Sequence, residues 1–495
     1  MSENLTASVT GEFDARVQAW FDERGWRLFE FQREARDAYL AGESGLIHSP
    51  TGSGKSLAAW LGPLAEAAAA GWPDGGPRVL WITPLRALAA DTRENLAEAA
   101  AALGGSWRVE VRTGDTAQSV RARQRRRPPE ALITTPESLS VLMSYADGAS
   151  WFRRLACVVV DEWHELLGTK RGVQLELCLA RLRSIAPGLR TWGLSATLAN
   201  LADARDVLLG PGMAGRLVRG QAPKTVRIRS VLPDTPERFP WAGHLGIRLL
   251  PAVVAAIEAA GSTLLFTNTR SQAELWFQGL VDARPDWVGR IALHHGSIDR
   301  KLRRRIEDAL RAGELLCVVC TSSLDLGVDF SPVDRVMQVG SPKGVARLLQ
   351  RAGRSGHQPG AVSEVLCVPT HAFELVEIAA ARRAAEQGRI EARRALTRSL
   401  DVLVQHLVTV ALGGGFEAES MRAEVSRTRA FAGITDAEWG WVMDFVTRGG
   451  QALQGYPQYR RVEAMDGRYR VTDRGIGQRH RMGIGTIASD TAMNI

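Results

Sequence analysis

The sequence predicts an α/β protein in which two parallel sheets, each covered by helices, stand in tandem and precede a mainly helical region. Three observations support this fold class. Short unbroken apolar runs alternate with helical stretches, the alternation is interrupted once between about residues 210 and 240, and it stops near residue 370. Unbroken apolar strands are buried on both faces, as in parallel sheets covered by helices. A chain of 495 residues also exceeds the size of one compact domain.

The predicted strands are short runs of mostly apolar residues. In the first unit they cover residues 79–83, 132–135, 157–161 and 191–195. In the second they cover residues 263–267, 291–294, 315–321, 335–340 and 364–369. The glycine-rich residues 210–215 and the proline-bearing run that follows predict the join, so we expect the units at residues 1–213 and 214–370.

The region after residue 370 has a helical pattern. An apolar stripe with i, i+3, i+4, i+7 spacing runs from Leu400 to Ala411 and ends at three glycines, and a second helix is predicted at 436–448. Residues 460–462 and 469–471 predict a hairpin around an Asp466-Gly467 turn. Helices followed by a hairpin predict a winged-helix domain at 371–482, and the apolar residues 483–495 predict the start of a truncated C-terminal domain.

Composition narrows the class of protein. Lys and Arg outnumber Asp and Glu by 62 to 54, an excess that suits a polyanionic partner without identifying one. No apolar run reaches the ~18 residues of a membrane span, and the N-terminus lacks the segments of a secretory signal. Five scattered cysteines favour reduced thiols. We therefore expect a cytoplasmic protein without membrane contacts.

The strongest motif is a glycine-rich loop between a strand-like run and a helical segment. Its glycines allow backbone N–H groups to surround phosphates, while Lys55 reaches the β- and γ-phosphate oxygens and the Ser56 hydroxyl binds Mg²⁺. The pattern usually opens with Gly, and Ser49 stands there in this chain. An unliganded glycine turn is the alternative. The predicted ATP-binding residues of this loop are Thr51, Gly52, Ser53, Gly54, Lys55 and Ser56.

An acidic pair, Asp161-Glu162, ends a later apolar strand, at the sheet edge where α/β proteins bind ligands. Asp161 is predicted to hold Mg²⁺, and Glu162 to orient or deprotonate the attacking water. Alone the pair is a common strand ending, but together with the loop it predicts phosphoryl transfer. By contrast, Cys317 and Cys320 lie three apart in a predicted buried strand, so they should face opposite sides and not share a metal.

A series of motifs then appears in a fixed order, and with it the chain resembles superfamily 2 helicases of the DExH type, within them the Lhr-type group that includes the bacterial ligase-associated helicases. The matching segments are Phe31-Gln32, Thr83-Pro84-Leu85-Arg86, Arg112-Thr113-Gly114-Asp115, Thr134-Thr135-Pro136-Glu137-Ser138, Asp161-Glu162-Trp163-His164, Ser195-Ala196-Thr197, Phe266-Thr267-Asn268-Thr269-Arg270, His294-His295-Gly296-Ser297, Thr321 to Asp329, and Gln350 to His357. The resemblance implies two RecA-like domains and a winged helix that lines a nucleic-acid channel.

The resemblance also implies roles for further residues. Gln32 would read the adenine, and Gly327 and Asp329 would join the ATP site from the second domain. Arg354 would act as the arginine finger, with Arg351 as a second one. Where related families end this motif in Arg, the chain has His357. For Arg354 and Arg351 taken alone, a solvated helix face is an equal alternative.

Nucleic-acid contacts are the least determined part of the site. Hydroxyls and arginines of the motifs suit phosphate contacts, which position a strand without reading its sequence. For each threonine, helix capping or turn formation is an open alternative, and the arginines at 121–127 equally suit a solvated helix end. The predicted DNA-binding residues are Thr83, Arg86, Thr113, Thr135, Thr267, Arg270, Ser297, Thr321 and Tyr459.

We therefore expect an ATP- and Mg²⁺-dependent motor that moves 3′→5′ along single-stranded DNA, unwinds 3′-tailed duplexes and works in DNA repair with a ligase or nuclease. Polarity, DNA preference and pathway follow from the resemblance alone. The first alternative is an RNA helicase or a motor that unwinds RNA:DNA hybrids. The second is a nucleic-acid-binding scaffold with a vestigial ATP site, against which the joint presence of Lys55, Asp161, Glu162 and Arg354 speaks.

Overall fold

The first sheet of the computed structural model has seven described strands, all parallel, in the order β3-β4-β2-β5-β6-β1-β7. The structure describes residues 2–73, 75–220, 226–232, 246–325, 333–355, 363–449 and 460–485. The strands are β1 (Gly45–His48), β2 (Val79–Ile82), β3 (Val109–Arg112), β4 (Ala131–Thr134), β5 (Cys157–Val160), β6 (Arg190–Ser195) and β7 (Arg216–Arg219). The strands predicted in this unit are confirmed.

Helices cover both faces of this sheet. They are α1 (Ser2–Glu23), α2 (Glu30–Leu40), α3 (Lys55–Ala69), α4 (Leu88–Ala102), α5 (Gln118–Arg126), α6 (Pro136–Met143), α7 (Gly148–Phe152), α8 (Trp163–Leu166), α9 (Lys170–Ile185) and α10 (Leu201–Leu209). Successive residues of one strand enter opposite cores, since Trp81 packs in one hydrophobic cluster while Leu80 and Ile82 pack in the other. Burial on both faces explains why the strands are continuously apolar.

The predicted boundary between residues 213 and 214 is too early. Strand β7 pairs with β1 along its whole length, so the first sheet continues to Arg219. Arginines occupy both ends of this strand, and only Val218 is buried. Charged residues are a normal feature of edge strands, which lack the unbroken apolar pattern of central ones.

The second sheet has six described strands, all parallel, in the order β10-β11-β9-β12-β13-β8. Its elements are β8 (Val226–Ser230), α11 (Leu250–Glu258), β9 (Thr263–Phe266), α12 (Arg270–Ala283), β10 (Ile291–His294), α13 (Arg300–Arg311), β11 (Cys317–Cys320), β12 (Arg335–Val339), α14 (Val345–Ala352), β13 (Ser363–Val368) and α15 (Ala372–Glu386). The predicted strands of this unit are confirmed, and Cys317 and Cys320 pack into different clusters on opposite faces.

The second domain also extends beyond its predicted end at residue 370. Ile378 and Ala381 of α15 belong to the same cluster as Val336 and Val365 of the sheet. The change from strands to helices predicts a boundary before this helix, and that boundary is wrong. A final helix that packs back on the sheet is part of the α/β unit.

The third domain is a winged helix, as predicted. It contains α16 (Leu400–Leu412), α17 (Ala418–Val425), α18 (Asp436–Arg448), β14 (Glu463–Met465), β15 (Arg468–Arg470) and α19 (Arg474–Gly483). Asp466 and Gly467 have φ values of 49° and 77°, the left-handed pair of a type I′ turn. The first strand of the hairpin starts three residues later than predicted, after residue 462.

The predicted start of a further domain at 483–495 lies mostly outside the described residues, which end at 485. Within them, the Gln405 amide of α16 donates to the Gly483 carbonyl at 3.4 Å, and Ile484 is buried. Residues 483 and 484 thus pack with the winged helix. None of the helices in the described residues has the length and hydropathy needed to span a membrane.

Candidate ATP site and nucleic-acid cleft

The glycine-rich loop leaves β1 and ends where α3 begins. Gly52 and Gly54 have φ values of 77° and 84°, a left-handed conformation that favours glycine. The Gln32 side chain lies against the loop: its amide nitrogen donates to the Gly54 carbonyl at 3.1 Å, and its oxygen accepts from the Phe29 amide at 2.9 Å. A Cβ at Gly54 would lie 2.5 Å from that Gln32 nitrogen, so the contact requires glycine. The structure thus places the predicted glutamine directly beside the phosphate loop.

The loop is closed by bonds among its own residues. The Ser49 hydroxyl lies 2.6 Å from the Ser53 hydroxyl, which donates to the Pro50 carbonyl at 2.6 Å. Ser49, at the position where the motif usually has glycine, therefore stabilises the loop through its side-chain hydrogen bond. The Lys55 ammonium donates to the same carbonyl at 2.9 Å and is only 8% exposed. Burial lowers the pKa of Lys55, and the nearby carboxylates of Glu162 and Asp161 oppose this effect.

The acidic pair follows β5 on the same edge of the sheet. Asp161 accepts a bond from the Trp81 indole at 3.3 Å and another from the Glu162 amide at 2.9 Å. Burial, and after it the adjacent Glu162 carboxylate, raise the pKa of Asp161 to about 7. A buried carboxylate with a raised pKa beside a second carboxylate is an arrangement that a divalent cation stabilises. Trp81 lies outside the sequence motifs, because its contact with Asp161 depends on the pairing of β2 with β5.

Glu162 is held in an unusual conformation. Its φ of 46° is left-handed, which is uncommon for glutamate and is often found at functional sites. Its Oε2 atom is buried and has no hydrogen-bond partner among the described residues. The same atom lies 3.5 Å from Nδ1 of His164, which contacts the hydroxyl of Ser195, from the Ser195-Ala196-Thr197 motif, at 3.3 Å. Burial lowers the pKa of His164 to about 4, so the ring is neutral at pH 7.

The second domain contributes Arg354 to this site. Arg354 is 8% exposed, donates to the Asp325 carbonyl at 3.0 Å, and its charge helps to lower the pKa of Lys55. The two domains meet here, since a Cβ built at Gly353 would lie 3.8 Å from Cβ of Thr51 in the phosphate loop. The loop lysine, the acidic pair and Arg354 therefore surround one interdomain space.

Arg351 occupies a different place from that of an arginine finger. Its guanidinium donates to both Asp325 carboxylate oxygens, at 2.7 and 3.1 Å, and to the Gln338 side chain, and it lies 4.6 Å from the Phe266 ring centre. It is 1% exposed and buried inside its own domain. This position argues against the predicted role as a second finger, because its three guanidinium nitrogens already bind neighbouring side chains. We therefore assign Arg351 a structural role, in which it stabilises the second domain.

Four residues named from the sequence lie outside the described residues: Gly327, Asp329, His357 and Tyr459. Their predicted roles stay predictions. The same holds for the nucleotide contacts of Thr51, Ser53 and Ser56, which the structure places in the loop and at the start of α3.

A cleft of about 1330 Å³ is lined by residues of all three domains. Its described lining includes eight arginines and six acidic residues, so the surface carries a net positive charge that suits a polyanion. Several arginines are paired in the present structure, for example Arg86 with Asp115 at 3.0 Å and Arg171 with Glu137. The predicted contacts that line the cleft are Arg86, Thr113, Thr135 and Thr321.

Other predicted contacts lie elsewhere. The hydroxyls of Thr83 and Thr267 are buried and donate to the carbonyls of Leu85 and Thr269, both at 3.1 Å. This is the turn-forming alternative that the sequence left open. Arg270 donates to the Ser297 hydroxyl at 2.9 Å, and neither residue is part of the cleft lining. The cleft also includes Arg303 and Arg304, for which nucleic-acid contact and a solvated helix face were equally open, and Arg481 and Met482, which were not predicted as contacts.

Three family matches cover most of the chain. Residues 29–204 match the DEAD/DEAH box helicase family, residues 247–358 match the helicase conserved C-terminal domain, and residues 383–495 match the winged-helix domain of the large helicase-related protein, Lhr. The chain belongs to the Lhr-type helicases. The winged-helix match of this Lhr-type chain includes residues 483–495, which the sequence assigned to a further domain.

Relatives agree with this family. The ATP-dependent helicase Lhr-Core of Methanocaldococcus jannaschii is 32% identical over 97% of this chain and 58% of its own length. A Mycolicibacterium smegmatis protein described as Lhr helicase/probable uracil glycosylase is 32% identical over 89% of this chain and 32% of its own length. The Lhr-type chain described here thus spans less than two thirds of the length of either relative.

Solved structures show the same architecture. The Mycobacterium smegmatis helicase Lhr bound to ssDNA and AMP-PNP matches with a TM-score of 0.84 and 31% identity, over 96% of this chain and 62% of that one. The DUF1998 helicase MrfA bound to DNA matches with a TM-score of 0.74, but at 24% identity it supports the fold only. The two α/β domains and the winged helix of this Lhr-type chain therefore form an established arrangement.

Proposed function

We propose that this chain is the motor of an ATP-dependent 3′→5′ DNA helicase that translocates on single-stranded DNA. One observation carries the proposal: Lys55, Asp161 and Glu162 of the first domain face Arg354 of the second across one interdomain space. A site shared between two domains makes their relative position depend on the nucleotide. The basic cleft between the same domains offers a track for the strand.

The residues present fit ATP and Mg²⁺. The left-handed glycines leave room for phosphates to approach the loop backbone, and the buried ammonium of Lys55 is placed to bind them. Ser56 and Asp161 would hold Mg²⁺, which when bound neutralises charge on the phosphates. The Oε2 atom of Glu162, which makes no hydrogen bond to the described residues, is available to accept a proton from the attacking water. Arg354 would stabilise the charge that develops on the transferred phosphoryl group.

DNA as the track is supported by the 31%-identical Lhr structure, which is bound to ssDNA. The direction of movement and a role in DNA repair, with a ligase or nuclease as partner, are inferred from the family resemblance. A cytoplasmic location is inferred from the scattered cysteines. An RNA helicase, or a motor for RNA:DNA hybrids, is the second candidate. Contacts to phosphates, which suit the arginines of this cleft, do not distinguish a DNA strand from an RNA strand.

Strand-separation assays with tailed duplexes test the proposal. We expect unwinding of a duplex with a 3′ single-stranded DNA tail, dependent on ATP, and no unwinding with a 5′ tail. Matched substrates with an RNA tail or an RNA:DNA hybrid separate the second candidate. Unwinding only from 5′ tails would contradict the polarity, and activity only on RNA tails would contradict DNA as the track.

The cleft makes a separate prediction for Arg304, which lines it, and its neighbour Arg305, which does not. We expect Arg304→Ala to weaken binding of single-stranded DNA and to reduce the slope of log affinity against log salt by about 0.7, the value for one lost phosphate contact. Binding of a labelled oligonucleotide by fluorescence anisotropy at several salt concentrations measures both. Arg305→Ala is the matched control, and an equal loss in both variants would show only an effect of net charge.

A further inference from the structure

The connector between the second domain and the winged helix runs between the two motor domains. It begins after Glu386, where α15 ends, and continues to Leu400, where α16 starts. Along its middle, Glu391 contacts the second domain, whereas Arg393 and Arg394 contact the first. Ala395 then packs on the core of the first domain and Leu396 on that of the winged helix. One short segment thus touches all three domains.

Glu391 caps the helix that leads to the arginine finger. Its carboxylate accepts the backbone N–H groups of Val345 and Ala346, at 2.5 and 3.0 Å. The cap position of α14 is Gly344, which has no side chain for this purpose. Burial alone would raise the pKa of Glu391, but these two hydrogen bonds hold it below its ordinary value. The carboxylate therefore stays charged at the positive end of the helix dipole.

The same connector is held by the first domain two residues later. The Asn200 amide donates to the Arg393 carbonyl at 2.8 Å, and its oxygen accepts from the Arg393 amide at 3.1 Å. Asn200 follows the Ser195-Ala196-Thr197 motif and donates to the Asp203 carboxylate at 2.9 Å. A Cβ at Gly168, just beyond the acidic motif, would lie 2.6 Å from the Arg394 carbonyl oxygen. The connector backbone thus lies against the elements that follow two ATP-site motifs.

The shortness of this span gives it a mechanical consequence. Glu391 and Arg393 are separated by only about 7 Å of fully extended chain. Helix α14 is held at one end by Glu391, and its other end leads to Gly353 and Arg354. When the domains separate, α14 cannot move away from Asn200 unless one of the two contacts breaks.

We propose that residues 391–394 form a strap that holds the arginine-finger helix against the first domain, with Glu391 and Asn200 as positioning residues for Arg354. The strap rests on the proposed ATPase function and couples closure of the ATP site to the winged helix. Nucleic acid held by the winged helix acts on Arg354 through the same segment.

The test compares DNA-stimulated ATP hydrolysis in full-chain variants. Glu391→Ala removes the cap, and Asn200→Asp keeps the shape but cannot donate to the Arg393 carbonyl. We expect kcat to fall about 5- to 20-fold in each, because Arg354 is then placed less precisely against the reacting phosphoryl group. The affinity for AMP-PNP should change less than about twofold, because Lys55 and the rest of the phosphate loop are left intact. Glu391→Gln, which still accepts N–H bonds, should recover most of the activity.

The control is Asp401→Asn, which breaks the 2.8 Å ion pair between Lys170 of the first domain and α16 without touching α14. The double variant of Glu391 and Asn200 is decisive. If the two contacts act through one strap, kcat of the double variant falls no further than kcat of the worse single variant. If they act independently, the two fold-losses in kcat multiply. Multiplied losses, or unchanged kcat in both single variants, would overturn the strap. If wild type itself lacks DNA-stimulated hydrolysis, the proposed function fails instead.

Discussion

Replacing Lys55 by alanine is expected to abolish nucleic-acid-stimulated ATP hydrolysis, with a loss of at least about 10³-fold. The lysine is buried in the loop with its ammonium against the Pro50 carbonyl, and Glu162 and Asp161 are its nearby carboxylates. Its removal deletes the only positive charge that the phosphate loop itself contributes. Phosphoryl transfer depends on positioning and electrostatic stabilisation, so the loss affects ATP binding and the chemical step together. A coupled ATPase assay with saturating single-stranded DNA measures it.

Two further variants make this result specific. Lys170→Ala, at a more exposed lysine of the same domain that pairs with Asp401, should retain nearly full activity. Glu162→Gln should lose hydrolysis to a similar extent but keep nucleotide affinity, because the glutamate acts on water and not on the phosphates. Nucleotide binding measured by titration with AMP-PNP separates the two. Substantial turnover in Lys55→Ala would contradict the assignment of the ATP site.

The phosphate loop and the acidic motif were predictable because the residues that their chemistry requires are adjacent in the sequence. A loop that wraps phosphates needs glycines at fixed spacing, and Gly52 and Gly54 have the left-handed conformation that this requires. The central strands were equally evident, since burial on both faces leaves a continuous apolar run. Local sequence therefore determines both the central strands and the segments at their carboxyl ends, which form the candidate ATP site.

The features that escaped prediction depend on contacts between distant segments. Strand β7 belongs to the first sheet only through its pairing with β1, and its arginines conceal it. From the sequence, the hydroxyl of Thr83 could either contact a phosphate or form a turn. Only the fold shows that it donates to the Leu85 carbonyl. Likewise, Glu391 and Val345 are distant in the chain, and no local pattern indicates that one caps the helix of the other.

Arg354 and Arg351 provide the strongest contrast between neighbouring residues. We expect Arg354→Gln to reduce kcat by about 10³-fold or more, the range for a lost arginine finger, with little change in thermal stability. Arg351→Ala should act through the fold, because it leaves the Asp325 carboxylate buried without its bidentate partner. Breaking such a buried pair costs on the order of 3–5 kcal/mol of unfolding free energy.

Thermal unfolding and ATPase rates measured on the same preparations distinguish these two roles. Arg351→Lys should stay destabilised, since an ammonium cannot reproduce the fork that binds Asp325, Gln338 and the face of Phe266 together. If Arg351→Ala instead unfolds at the wild-type temperature and loses kcat as Arg354→Gln does, Arg351 is a second finger. That outcome would require Arg351 to leave its buried site when ATP binds. The second domain with ATP bound would then have a different conformation from the one described above.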